Sequence, residues 1–467
     1  MSRCGDARFS LFETPFLRNI FLFNINLGSK LFDGRALVLT LGILFGLMPV
    51  TAYAAPIIVS VLVLLFGSRY VDRRAVWLGL AVIQYCAVQY FYLQYHGSMP
   101  LWDFDLIKVY FVLSLISVPF SAVILSKSFE FKKFEDGYFL GLFVSAGILS
   151  YQYFFQNQCR AVGFTFNPLV PPFVLIPLLG YILARRVSEG RSSGLDAVVI
   201  TLGIMIAGLF PGGRMGLYSI SLVLSVIGLF TILKLDWRRA VLIWGALAFG
   251  VFATITIDGN SGCNFLGRIS AQFRIATDLS ESLQSPSNAA LVEPKVEVER
   301  LADDVIEGAL DDVTAPVNVA SEDPELDASD IAMEVMHRSE SSSAQRWFMW
   351  TNAVSRIAAY RVEWVTGIGW INEASVVNRG FNMSYKHAHN QILSWLLWGG
   401  LPSLLSAVLL FGVLPLRAFR HFPSAVFVFA SGLGFLTNSL MLSGPAVAGF
   451  VLSVLLVLTV EWRAREL

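Results

Sequence analysis

Charge is what this sequence has least of. Only 15% of its 467 residues are Asp, Glu, Lys or Arg, against 55% hydrophobic, and a mean hydropathy of +0.63 lies outside the range of ordinary soluble domains. Such a chain needs lipid as its solvent. Its 34 basic and 34 acidic residues cancel, so net charge says nothing about partners, but the two signs are unevenly distributed; no nucleic acid is expected as a partner. Cysteine is scarce as well: four residues make no disulfide framework. The first 35 residues also lack the compact apolar core and small-residue cleavage site of a secretory signal. The run Phe16 to Phe23 reads instead as an interfacial helix.

Long apolar runs are abundant. Crossing about 30 Å of hydrocarbon takes about 20 residues in a helix. Runs of that kind fall near 36–53, 55–67, 75–95, 106–125, 138–156 and 168–184, then 196–210, 216–233, 241–256, 391–416, 423–441 and 446–461. The first two are short, and Pro49 and Pro56 separate them into a tight hairpin. The expected fold is therefore all-α and integral to the membrane, with about twelve transmembrane helices. Positive charge tests the count, because cytoplasmic connections retain an excess of Lys and Arg. Alternate connections, with both termini, hold 21 such residues, whereas the short connections between them hold only Arg160 and Arg214, with Lys108 just inside the following helix. That alternation puts both termini in the cytoplasm. The expected organisation is a cytoplasmic segment 1–35, helices one to nine over 36–256, a large outer loop 257–390, helices ten to twelve over 391–461 and a tail 462–467.

The outer loop is not uniform. Residues 278–335 carry 16 acidic residues against Lys295 and Arg300, a composition that cannot bury a core and is expected to stay mobile. A short helix over Pro294 to Leu310 is compatible with its apolar spacing. Then Ala344 to Tyr360 turns aromatic and basic, as a helix lying along the membrane interface would be. The glycine-broken Gly367-Ile-Gly369 follows, and His387-Ala-His389-Asn390 leads into the tenth helix.

The two arginines that break the charge rule need a reason. Arg214 lies in Gly213-Arg-Met-Gly216 at the start of a helix, where free N–H groups and the helix dipole favour an anion such as phosphate. An arginine snorkelling to lipid headgroups is the competing reading. Arg160 precedes the sixth helix, and Arg346 opens the aromatic helix of the loop; together three guanidinium groups could hold a pyrophosphate through paired hydrogen bonds. His389 can take a proton near neutral pH as a general base, with His387 and Asn390 beside it. Metal chelation by His-x-His and simple helix capping are the alternatives, and no cluster at ligand spacing adjoins the pair, so no metal is expected. Cys159 and Cys263 share the outer face, where a bridge between them would persist, although two cysteines can share a face by coincidence.

Taken in order, these segments resemble the bacterial O-antigen ligase and polymerase superfamily. The resemblance rests on Arg160 with Gly163 and Asn167-Pro168, on Gly213-Arg214-Met-Gly216, on Arg346 with Trp350 and Gly367-Ile-Gly369, and on His389-Asn390 with Leu393 and Gly400. At the position two residues before Gly400, where that family often has Glu, this chain has Trp398. The resemblance implies a multi-pass protein of the bacterial inner membrane with a periplasmic site. It implies transfer of a glycan from a polyprenyl-pyrophosphate carrier to a glycan or lipid A-core hydroxyl, by an inverting route without metal or other cofactor. Arg214, Arg346 and Arg160 would bind the pyrophosphate and His389 would activate the acceptor. The rival class, a transporter or flippase of lipid-linked sugar or solute, would be expected to carry ionisable groups at mid-membrane depth and inverted repeats.

Overall fold

The computed structural model describes residues 34–67, 71–95, 104–165, 170–191, 193–212, 214–261, 343–378, 388–418, 421–437 and 444–464, and no strand occurs among them. Phe16 to Phe23, the acidic stretch 278–335 and the expected helix Pro294 to Leu310 lie outside the described residues, as do Gly213, Cys263 and His387. In chain order the helices are α1 (Gly34–Leu47), α2 (Ala54–Gly67), α3 (Arg73–Tyr95), α4 (Phe104–Leu125), α5 (Phe131–Ser150), α6 (Val170–Ser188), α7 (Gly194–Ile204), α8 (Arg214–Leu233) and α9 (Trp237–Ser261). After the loop come α10 (Ser343–Ala359), α11 (Glu363–Thr366), α12 (Trp370–Val377), α13 (Gln391–Val408), α14 (Leu414–Ala418), α15 (Phe422–Thr437) and α16 (Gly444–Ala464). Single π-helical turns extend α5 and α7 and join α13 to α14.

Eight of these elements are long and apolar enough to cross a membrane. Four more apolar helices, Gly34–Leu47, Ala54–Gly67, Gly194–Leu209 and Phe422–Leu436, are shorter. A 14-residue helix such as α1 reaches only about 21 Å. The class is thus an all-α protein of several membrane-spanning helices, and its surface fits a bilayer. On α2, for example, Ile57, Ile58, Val61, Leu64 and Leu65 form an exposed stripe while Ala55, Val59, Val63 and Phe66 face inward. Water would not tolerate that stripe. α6 and α16 lie at the centre, each about 94% buried.

In lipid, apolar burial does not drive helices together; close packing and polar contacts must do so. α1 and α5 meet through two reciprocal glycine pairs at four-residue spacing, Gly42 with Gly46 and Gly137 with Gly141. A Cβ on any of the four would run into a backbone carbonyl of the facing helix, respectively Phe134, Tyr138, Leu39 and Ile43. At the end of the bundle where α6 stops and α7 starts, buried charges complete the packing. Arg191 grips the fully buried Glu135 with two hydrogen bonds of 2.7 and 3.0 Å, and Arg186 pairs with Asp196 at 2.7 Å. Tyr181 donates to Glu461 of α16 at 2.6 Å. Each buried charge has a partner, as the low dielectric requires.

The close approach of α1 and α5 predicts that Gly141→Leu lowers the midpoint of thermal aggregation in detergent by several degrees and reduces the yield of folded protein. Gly147→Leu on the same helix, where a Cβ meets nothing within 4 Å, should leave both unchanged.

Candidate functional site

The apolar run 391–416 reads as one spanning helix, but the backbone breaks inside it. Gly399 (φ −138°) and Gly400 (φ +61°) leave helical geometry, which separates the two turns Gln391 to Trp398 from the rest of α13. Pro402 supplies part of the cause, since it has no N–H to give the carbonyl of Trp398 four residues back. Two carbonyls of the buried residues Leu397 and Trp398 would then be left open, at considerable cost. The segment that precedes α12 closes them: Ile368 N donates to Leu397 O at 2.6 Å and Gly369 N to Trp398 O at 3.2 Å. Gly367 (φ +64°) and Gly369 (φ +79°) make this approach possible, because a side chain on Gly367 would strike the Trp398 carbonyl and one on Gly400 the Trp364 carbonyl. The glycine turn is therefore the seat on which the loop docks. Tyr92, near the end of α3, holds the same seat by donating to Val365 O at 3.0 Å.

The docked loop carries α12 beneath the histidine segment. Glu373 of α12 is fully buried. Its Oε1 accepts from Ala388 N at 2.9 Å and Ser394 Oγ at 2.7 Å, and its Oε2 accepts from Trp398 Nε1 at 2.6 Å. From the other side Trp350 of α10 donates its indole N–H to Ala388 O at 2.8 Å. Ala388 is thus held at both its N–H and its C=O. His389 follows, half-buried, at φ +50°, a left-handed backbone rare for residues other than glycine. Asn390 then caps α13, its side chain accepting from Ile392 N and Leu393 N at 3.0 and 3.2 Å. Arg346 stands one helical turn before Trp350 on the same face of α10 and is half-buried.

Arg160 lies in a second tethered loop. Gly163 N donates to Gln152 at 2.8 Å, Phe164 N to Val50 O at 2.7 Å and Ala161 N to Phe210 O at 2.7 Å. Those bonds lay the loop across the turn that opens α8. A Cβ built on Gly212 would sit 3.5 Å from Arg160 Cγ, two residues before Arg214. Arg214 is the first residue of α8; its side chain lies outside the described part. Gly216, two residues on, fits against the Ala207 carbonyl and Pro172. Cys159 is in a disulfide. Cys86 is free and buried, and Cys4 and Cys263 lie outside the described residues.

Both groups occupy one end of the bundle. Trp395 of α13 packs on Phe435 at the end of α15 (5.0 Å), which packs on Phe173 at the start of α6 (5.7 Å), next to the Pro172 that faces Gly216. The residue that sequence reasoning missed is Glu373. Its signal was a lone carboxylate in the otherwise uncharged Trp370–Val377. Comparison with models of known families finds no match, and comparison with curated proteins finds none either.

Burial pushes the Glu373 carboxyl from 4.5 up to about 7, against the opposing pull of its donors Ser394, Ala388 and Trp398. The docked state therefore binds the proton more tightly than the undocked one, so docking is firmest below 4.5 and weakens as pH rises towards about 7. Hydrogen-exchange protection of residues 388–398, corrected for intrinsic rates, should be higher at about pH 5.5 than at about pH 7.5. Glu373→Gln should abolish the difference. Asn390→Ala should lower the same protection by about 1 kcal/mol through loss of the cap.

Proposed function

We propose that this protein is a membrane glycosyltransferase that moves a glycan from a polyprenyl-pyrophosphate carrier to an acceptor hydroxyl. The carrying observation is that the arginine-bearing elements lie towards the same end of the helical bundle as the clamped Ala388 to Asn390 segment, linked to it through Trp395, Phe435 and Phe173. In this reading all twelve apolar helices cross the bacterial inner membrane, with both termini in the cytoplasm and the shared end in the periplasm. The shorter helices would cross where the bundle thins the bilayer.

The chemistry needs two large terms, stabilisation of a departing anion and a base for the incoming hydroxyl. Arg160, Arg214 and Arg346 would bind the pyrophosphate, whose charge grows as the anomeric C–O bond breaks and its electron pair passes to the phosphate oxygen. His389 would take the proton from the acceptor hydroxyl as its oxygen bonds to the anomeric carbon from the opposite side, inverting the configuration. The polyprenyl chain would lie along lipid-facing side chains such as Tyr90 and Phe91 of α3. A transporter would instead use ionisable groups at mid-depth. Among the described residues, those of the long helices lie near helix ends.

His389→Ala should reduce transfer by about 10²- to 10⁴-fold, and Arg214→Ala or Arg346→Ala by about 10²- to 10³-fold. The assay follows surface glycan on gels and purified transfer from a polyprenyl-pyrophosphate glycan. A ladder collapsed to one repeat unit marks a polymerase; polymer retained on the carrier, with lipid A-core left bare, marks a ligase. Normal glycan in all three inserted variants overturns the reading.

A further inference from the structure

Glu373 is a fully buried carboxyl of α12 on which three hydrogen-bond donors converge. We propose that Glu373 is the positioning residue of His389: by accepting from Ala388, Ser394 and Trp398 together, it sets the backbone that presents the imidazole. This assignment rests on the transferase reading for its consequence, though not for its geometry.

The geometry is specific to a carboxyl group, both of whose oxygens can accept. Two donors converge on Oε1 and a third on Oε2, so three N–H or O–H groups point at one side chain that, when ionised, only accepts. The three donors come from different places: the residue before His389, the first turn of α13, and the last residue before the break at Gly399. Glu373 thus ties the histidine segment to the two-turn helix behind it. That helix is held in turn by Ile368 and Gly369 from the same loop, only four residues before Glu373. One short stretch of chain consequently fixes both ends of the segment on which His389 sits. A residue at φ +50° returns to an ordinary conformation unless its surroundings hold it, and the Ala388 peptide, bound on its N–H by Glu373 and on its C=O by Trp350, is that restraint.

The substitution Glu373→Gln exposes the requirement. If its oxygen keeps Ala388 and Ser394, its amide N–H₂ faces the indole N–H of Trp398, donor against donor at the 2.6 Å that the native bond spans. Removing that indole N–H by Trp398→Phe relieves the conflict, so the double variant should recover part of what the single one loses.

The test uses the full chain in nanodiscs and two readouts. The first is the rate of carbethoxylation of His389 by diethylpyrocarbonate, located by mass spectrometry, which reports the imidazole's setting without requiring any turnover. The second is glycan transfer. Glu373→Gln is expected to change the His389 labelling rate at least threefold and to lower kcat by about 10²-fold with the donor KM within twofold, as a misplaced catalytic group does. Glu373→Gln with Trp398→Phe should return both towards the native values. Should Glu373→Gln not accumulate, Glu373→Asp, which keeps the charge but withdraws it by one methylene, carries the same expectations. Native labelling of His389 in a folded Glu373 variant overturns the proposal, as does a loss of transfer confined to KM. If labelling changes while the native protein transfers no glycan, the positioning role stands and the transferase reading fails.

Discussion

A helix that breaks inside a membrane protein must hand its open carbonyls to something, because hydrocarbon offers no hydrogen-bond donor. Here the break at Gly399-Gly400-Leu-Pro402 frees the carbonyls of Leu397 and Trp398, and the amides of Ile368 and Gly369 take them. The rest of this end of the bundle follows from that exchange. It seats the loop, the seat places α12, and α12 brings a buried carboxylate to the peptide before His389. A break in an otherwise regular helix thus becomes the anchor of a site.

The two ends of the bundle handle charge differently. At the end where α6 stops and α7 starts, Arg191 with Glu135 and Arg186 with Asp196 neutralise one another in hydrogen-bonded pairs. Such a network constrains helix register and leaves little charge to act on a ligand. At the other end Arg160 is exposed on a loop laid against the turn before Arg214. An exposed guanidinium beside a helix N-terminus is suited to an anion.

Most of the architecture was legible because membrane helices announce themselves. An apolar stretch bounded by charges or prolines has few other ways to satisfy its backbone, so every apolar run corresponds to a described helix. Boundaries were less legible. The fifth helix begins at Phe131, seven residues before its apolar run, since Lys132, Lys133, Glu135 and Asp136 lie on its first turns without interrupting the hydrogen-bond ladder. The break in the tenth run does not show in the sequence because mean hydropathy is insensitive to two glycines and a proline among leucines.

The sequence by itself determined the solvent of this protein, the positions of its apolar helices and the short set of polar residues that do not belong to them. Those are local properties: composition and spacing decide them, and neighbours distant in the chain change them little. Only the tertiary structure decided what the polar residues do for one another. That Trp350 holds Ala388 across 38 residues, that Gly367 is a docking surface for Trp398, and that Glu373 sits under His389 depend on the break in α13, whose open carbonyls select which part of the loop returns to the membrane. Hydrogen-bond partners over such separations leave no periodicity in the chain, because the constraint that joins them is the need to satisfy a backbone group in three dimensions.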